Sequence, residues 1–313
     1  MILNLSHIKS ARQRISKYIH RTPVMTCRTL DRISGSELFF KCENFQKTGA
    51  FKFRGACNAV LNLEAQKSNF GVITHSSGNH GAALALAASI KKITAYVIMP
   101  KNSAQIKKSA VLQYGGKITY CEPTLRAREK TLVNMVAKTK APVIHPYNNY
   151  EIVAGQGTAA LELLEDQNDL EVIITPVGGG GLLAGTCITA RGIKPDILIF
   201  GAEPKGADDA SLSLKAGRII PQRYPKTIAD GLLTSLGSKT FPVIQKNVND
   251  IITVSEENII KAMLLIWERM KIIVEPSAAV GLGVLLENPD LFKKKKVGII
   301  LTGGNVDLDR LPF

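Results

Sequence analysis

The chain has 313 residues, 45% of them apolar, and 40 Lys and Arg against 26 Asp and Glu give a formal charge of +14. That length suits one large or two modest domains, and neither a run of roughly 18 apolar residues for a membrane span nor a basic and then apolar leader is present, so a soluble cytoplasmic protein is expected. Cys27, Cys42, Cys57, Cys121 and Cys187 are odd in number and lack a C-x-x-C pair, which excludes a disulfide framework and a zinc site, while the basic residues are dispersed apart from the loop run Lys293 to Lys296, which argues against nucleic acid.

In chain order, a helical period over about Ser6 to Tyr18 leads through the turn Arg21-Thr22-Pro23 to an apolar strand, Glu37 to Cys42. An amphipathic helix follows over about Phe51 to Gln66, with Lys52 at its start among aromatic and small residues. A buried lysine loses hydration as an ammonium ion, so its pKa falls and the neutral amine becomes nucleophilic. Lys52 is therefore the candidate reactive residue, against the ordinary alternative of a lysine that snorkels to water. Further strands are predicted at Val72 to His75, Ala95 to Met99, Ile118 to Cys121, Val143 to His145, Val172 to Val177, Ile197 to Ala202, Ile251 to Val254 and Val297 to Leu301. Helices such as Ala82 to Ile90, Asn258 to Met270 and Ser277 to Leu286 lie between them. This alternation predicts an α/β fold whose parallel sheets are covered by helices on both faces.

Ligands of such sheets bind beyond the carboxyl ends of the strands. Ser76-Ser77-Gly78-Asn79-His80 follows one strand and opens a helix, so hydroxyls, an amide and free backbone N–H groups converge on a site for a carboxylate or phosphate. Helix capping accounts for part of that composition. Gly178-Gly179-Gly180-Gly181 follows another strand and can close its amides around a phosphate. A rival reading is a nicotinamide site, since Gly179-x-Gly181-x-x-Ala184 fits the dinucleotide fingerprint and Glu203 lies 24 residues after Gly179. Glu203, Ala207 and Asp209 offer oxygen ligands for a hard cation, although spacing alone favours a capping turn. Thr302, beside Gly303 and Gly304 after the last strand, presents a hydroxyl to a planar ligand or serves a generic turn.

In their order, these motifs resemble the fold-type II pyridoxal-phosphate enzymes, most closely the serine racemase and serine/threonine dehydratase branch. The similarity runs from Arg21-Thr22-Pro23 through Leu38-Phe39-Phe40-Lys41-Cys42-Glu43 to Thr302-Gly303-Gly304-Asn305-Val306-Asp307-Leu308. The resemblance implies two parallel-type twisted sheets flanked by helices, as in tryptophan synthase β, with a large cofactor domain (1–70 and 149–313) and a small mobile domain (71–148). Lys52 matches the Schiff-base lysine and base on one face of the substrate, and Ser77 the hydroxyl on the other. Phe51 matches the residue packed on the cofactor ring, Asn79 the partner of its ring hydroxyl, Gly178 to Gly181 its phosphate cradle and Thr302 the partner of its pyridine nitrogen. Ser76, His80 and Arg128 match groups that hold substrate carboxylates, and Thr234 stands where a serine near the substrate is usual. Glu203, Ala207 and Asp209 match a site for Mg2+, Mn2+ or Ca2+, which displaces the capping reading.

The implied activity is racemisation of serine together with dehydration of L-serine or L-threonine to a 2-oxo acid and ammonia. The alternative is a threonine or threo-3-hydroxyaspartate ammonia-lyase with little racemisation. A β-replacement enzyme fits Ser76 to His80 poorly, and a binding protein without catalysis requires an inert Lys52. Small β-hydroxy amino acids and a second copy of the chain are the expected partners, without nucleic acid or membrane. Lys47, Thr48, Tyr114 and Lys271 resemble the family's ATP site, whereas Cys27-Arg28-Thr29 and Ala82 do not, which argues against ATP activation. With the chain ending at Phe313, a regulatory domain for isoleucine is not expected.

Overall fold

The computed structural model describes residues 3–76 and 78–313, with the backbone alone at Leu125. Its strands are β1 (Val24–Met25), β2 (Glu37–Cys42), β3 (Val72–His75), β4 (Ala95–Pro100), β5 (Lys117–Cys121), β6 (Val172–Pro176), β7 (Leu198–Pro204), β8 (Asp250–Val254) and β9 (Lys296–Leu301). A six-stranded sheet has the order β1-β2-β9-β6-β7-β8, and a three-stranded sheet the order β3-β4-β5. All pairs are parallel except β1 with β2. The smaller sheet is thus built from one continuous stretch, and the larger one from the segments on either side of it.

The larger sheet is buried on both faces, which is why its strands are continuously apolar rather than alternating. Leu38, Phe40, Val297 and Ile299 enter one core with Ile174 and Val280. Their neighbours Phe39 and Ile300 enter the other, with Ile173 and Leu183. No helix among the described residues is long and apolar enough to cross a membrane.

Three predicted elements differ from the structure. Val143 to His145 is reduced to a single bridge between Ile73 and Val143. Pro142 and Pro146 bracket it, and prolines cannot donate to a continuing ladder. The helix expected over Phe51 to Gln66 is two helices, Lys52–Leu61 and Ala65–Ser68. The one expected to run to Met270 is α-helical over Glu256–Leu265 and becomes a π-turn over Ile266–Met270, ended by Lys271 at φ 60°.

Beneath Lys52 the core holds a buried set of charges, which the partly exposed Arg12 joins at its edge, 3.7 Å from Glu162. Helix Lys52–Leu61 lies against helix Tyr150–Asp166 so closely that a Cβ on Gly155 would stand 2.6 Å from the Gly55 Cα. Across this contact Arg54 donates to Glu43 at 2.7 and 2.8 Å and to Glu162 at 2.7 and 2.9 Å, and Lys41 Nζ donates to Glu162 at 2.7 Å. Arg54, Lys41 and Glu43 are 0% exposed and Glu162 is 1% exposed, so two cations and two carboxylates neutralise one another out of contact with water. Thr22 binds into the same set, its hydroxyl donating to Glu43 at 2.5 Å and its carbonyl accepting from Lys41 at 2.6 Å.

Candidate active site

The loops after β2 and β9 are joined. Phe51 N–H donates to the Thr302 carbonyl at 3.0 Å, Gly304 N–H to the Gly49 carbonyl at 3.0 Å, and Ala50 bridges Gly303. The start of the Lys52 helix therefore lies against Thr302, itself 5% exposed. Lys52 Nζ stands 4.9 Å from the Phe51 ring centre and donates to the Pro146 carbonyl at 3.4 Å. Burial lowers its pKa to about 8, against the opposing pull of the Glu275 carboxylate. Burial also lowers His75 and His145 to about 4 and His80 to about 3, so the surrounding imidazoles are polar but uncharged near neutral pH. An amine that sheds its proton easily, among groups that do not compete for it, suits covalent chemistry with a carbonyl.

Tyr147, which sequence reasoning missed, connects this amine to the glycine loop. A Cβ on Gly179 would lie 2.2 Å from the Tyr147 ring, and one on Gly181 would lie 3.1 Å from the Tyr147 Cβ. Gly180 has φ 83° and caps the helix Gly181–Ile193. The first amides of that helix have no intrahelical acceptor and carry the positive end of its dipole. Side chains on this loop would strike Tyr147, Leu232 or Ile244, so its backbone stays bare, and exposed helix-start amides are a donor set that suits a phosphate. Thr234 borders it, since a Cβ on Gly178 would be 3.4 Å from its hydroxyl.

The turn after β3 is more constrained than its sequence indicated. Ser76 Oγ accepts from the N–H groups of Gly78 and Gly81 at 3.2 Å each, which is the capping role. Ser77 lies outside the described residues. Asn79 opens the helix Asn79–Ile90, donates through Nδ2 to Glu275 at 2.7 Å and accepts from Asn305 at 3.0 Å. His80 is 2% exposed and its Nε2 donates to the Ile144 carbonyl at 3.1 Å. A neutral imidazole whose remaining Nδ1 carries a lone pair cannot attract a carboxylate, which leaves the His80 backbone N–H in the first helical turn as the group with that capacity. Arg128, on helix Leu125–Thr139, buries an Nε for which no acceptor exists among the described residues.

Glu203, Ala207 and Asp209 form a separate cluster at the start of the helix Asp209–Ala216. The Glu203 carboxylate accepts from the N–H groups of Ala210 and Ser211 at 2.9 Å each, so it does cap that helix. This commitment removes it from the ribose contact that a nicotinamide site requires. Both Asp209 carboxylate oxygens are buried without a well-formed hydrogen bond among the described residues; burial raises Asp209 to about 7, offset only in part by the Leu236 and Asp209 backbone N–H groups, and raises Glu203 to about 8. Uncompensated buried carboxylates suit a cation. No group of three or more His, Cys, Asp or Glu side chains among the described residues has metal-binding geometry, so a cation here would rest on two carboxylates, the Ala207 carbonyl and water.

The chain matches the family model for "Pyridoxal-phosphate dependent enzyme" over residues 15–303. It is 51% identical to a serine racemase of Dictyostelium discoideum, covering 99% of this chain and 97% of that protein. It is 48% identical to a β-hydroxyaspartate dehydratase of Paracoccus denitrificans, covering 97% of this chain and 96% of the relative. Its backbone superposes on maize serine racemase with a TM-score of 0.96 at 44% identity, covering 99% of this chain and 95% of that one. Since that family model spans all but the ends of the chain, this chain belongs to the family of pyridoxal-phosphate dependent enzymes.

Proposed function

We propose that this chain racemises serine and dehydrates L-serine and L-threonine with pyridoxal phosphate. This reading is carried by the desolvated Lys52, whose amine donates to the Pro146 carbonyl one residue before the Tyr147 ring that packs on Gly179, and it is supported by near half-identical relatives that are a racemase and a dehydratase of β-hydroxy amino acids. When bound, pyridoxal phosphate supplies an electron sink that acidifies the α-C–H bond of the amino acid.

Gly178 to Gly181 would hold the phosphate by backbone amides, Phe51 would pack on the ring, Asn79 would serve the ring hydroxyl and Thr302 the ring nitrogen. Lys52 Nζ would hold the cofactor and, as the base on one face of the substrate, would take the α-proton. The Ser77 hydroxyl would return a proton on the other, which inverts the centre; when the β-hydroxyl instead takes up a proton and leaves as water, the released enamine tautomerises to an imine that water hydrolyses to the 2-oxo acid and ammonia. Ser76, Asn79 and the His80 N–H bind the α-carboxylate, Thr234 bounds the β-substituent, and closure of the 71–148 unit excludes water. A homodimer, a cytoplasmic setting and independence from ATP belong to the same reading.

One observation favours a second reading. The Arg128 Nε, without a partner among the described residues, fits a substrate with a second carboxylate, so threo-3-hydroxyaspartate is the competing substrate. Incubation with L-serine, L-threonine and threo-3-hydroxyaspartate, followed by chiral analysis and keto-acid detection, separates the two. Ser77→Ala should lose racemisation by about 10²-fold or more and keep elimination. Equal retention of both activities would overturn the two-face account.

The cation is expected to bind at Glu203, Ala207 and Asp209. After exhaustive chelation, adding Mg2+, Mn2+ or Ca2+ at about a hundred times its dissociation constant should stabilise the protein by about 2.7 kcal/mol. Asp209→Asn should remove that increment; a melting temperature indifferent to every divalent cation in the wild-type protein would exclude the site.

A further inference from the structure

A charged chain behind Asn79 has no part in the mechanism above. Lys107, on helix Gln105–Gln113, is 4% exposed, and its Nζ lies 2.6 Å from Asp230 Oδ2 and 3.4 Å from Glu275 Oε2. Its stem runs directly beneath the turn that carries Asn79, because a Cβ on Gly78 would stand 2.7 Å from Lys107 Cδ. Asp307 accepts from Ile106 N–H at 3.1 Å and from Gln105 N–H at 3.3 Å, which fixes the start of the same helix.

Glu275 is 2% exposed, and its Oε1 accepts from Asn79 Nδ2 at 2.7 Å. The opposite end of the Asn79 amide accepts from Asn305 Nδ2, which in turn also donates to the Thr48 carbonyl at 2.8 Å. An amide placed between an acceptor-only carboxylate and a donating amide has one satisfactory orientation. Turning it over would set its carbonyl against the Glu275 oxygen and its nitrogen against the Asn305 nitrogen. That selection lasts only while Glu275 is purely an acceptor. Burial pushes the Glu275 carboxyl up toward protonation, and the Lys107 ammonium is the largest influence opposing it. A protonated Glu275 would gain a donor and accept either face of the amide.

We propose that Lys107 is a positioning residue: through a Lys107–Glu275–Asn79 chain it fixes which edge of the Asn79 amide is turned to the cofactor. This rests on the placement of Asn79 at the cofactor's ring hydroxyl given under Proposed function. Lys107 touches neither substrate nor cofactor in this role, and its effect passes through two side chains from distant parts of the sequence.

The test compares full-length wild-type protein, Lys107→Met, Glu275→Gln and the double variant, each loaded with pyridoxal phosphate. Lys107→Met should shift the visible absorption band of the bound cofactor, release cofactor about tenfold faster on dialysis and lower kcat about tenfold while KM for the amino acid changes less than about twofold. Glu275→Gln, whose amide both donates and accepts as a protonated carboxyl would, should shift the band in the same way, and in the double variant the loss of Lys107 should add little, the band and the losses matching those of Glu275→Gln within about threefold. An unmoved band and unchanged cofactor release in Lys107→Met, or losses that simply add in the double variant, would overturn the proposal. If Lys107→Met does not fold, Glu275→Gln carries the test, and an unchanged band there likewise overturns it. A wild-type protein that shows no visible band with pyridoxal phosphate would instead sink the underlying cofactor reading.

Discussion

In the Lys52→Ala variant, turnover of L-serine to both D-serine and pyruvate is expected to fall by about 10³-fold or more, with the fold retained. The expectation is large because the proposed mechanism gives one amine two tasks, attaching the cofactor and moving the α-proton. With a pKa of about 8, about one tenth of Lys52 is neutral at pH 7. For an ordinary lysine at 10.5 the share is about one in three thousand. The rate at which cofactor-stripped protein takes up pyridoxal phosphate should therefore rise about tenfold per pH unit and level off above about pH 8. The sign of the linked stability follows. Between about pH 8 and 10.5 the folded protein binds fewer protons at this site than the unfolded chain, so Lys52 destabilises the cofactor-free fold at neutral pH and ceases to do so as pH rises through that window. A Lys52→Ala protein that keeps more than about a tenth of its activity, or uptake that is flat with pH below 8, would remove Lys52 from the mechanism.

Glu162→Gln is expected to destabilise the protein by about 3–5 kcal/mol, measured as a shift of the denaturant midpoint. Glu162 balances Arg54 and Lys41 where no water reaches, and removing its charge leaves a buried excess of one positive charge. Burial favours a protonated Glu162, yet Arg54 and then Lys41 outweigh it and hold the carboxyl below its ordinary value of 4.5. Its stabilisation is therefore complete above pH 4.5 and is lost as pH falls through the lowered folded pKa. The variant should lack that part of the acid sensitivity. Replacing all four charges with apolar residues of similar volume should cost less than this single change, because no unpaired charge remains. A Glu162→Gln protein within about 1 kcal/mol of wild type would show that the charges are not interdependent. Because Arg54 is on the helix that begins at Lys52, the same substitution should also loosen the placement of the reactive amine.

Most strands were legible because apolar runs bounded by turns are local. Both faces of the larger sheet are buried, so its strands read as uninterrupted apolar runs. Val143 to His145 failed because the signal counted apolar residues and ignored the two prolines that stop a ladder. The short strand Val24–Met25 was not predicted, since two residues give no period to detect.

The strand-end chemistry is written in the order of the residues alone: the lysine after β2, the Ser-Gly-Asn-His turn after β3, the glycine run after β6 and the threonine after β9. Each is contiguous, follows from local turn and helix-start geometry, and needs no knowledge of neighbours. What those groups meet is set by packing in three dimensions. Glu275 reads locally as the residue before a helix-opening proline, Lys107 as one basic residue on an amphipathic helix, and Tyr147 as an aromatic in a loop. Their meaning comes from partners far away in sequence: Asn79 for Glu275, Asp230 for Lys107 and Gly179 for Tyr147. The fall in the Lys52 pKa belongs to the same class, because desolvation is a property of everything packed around the amine and not of the residues beside it in the chain.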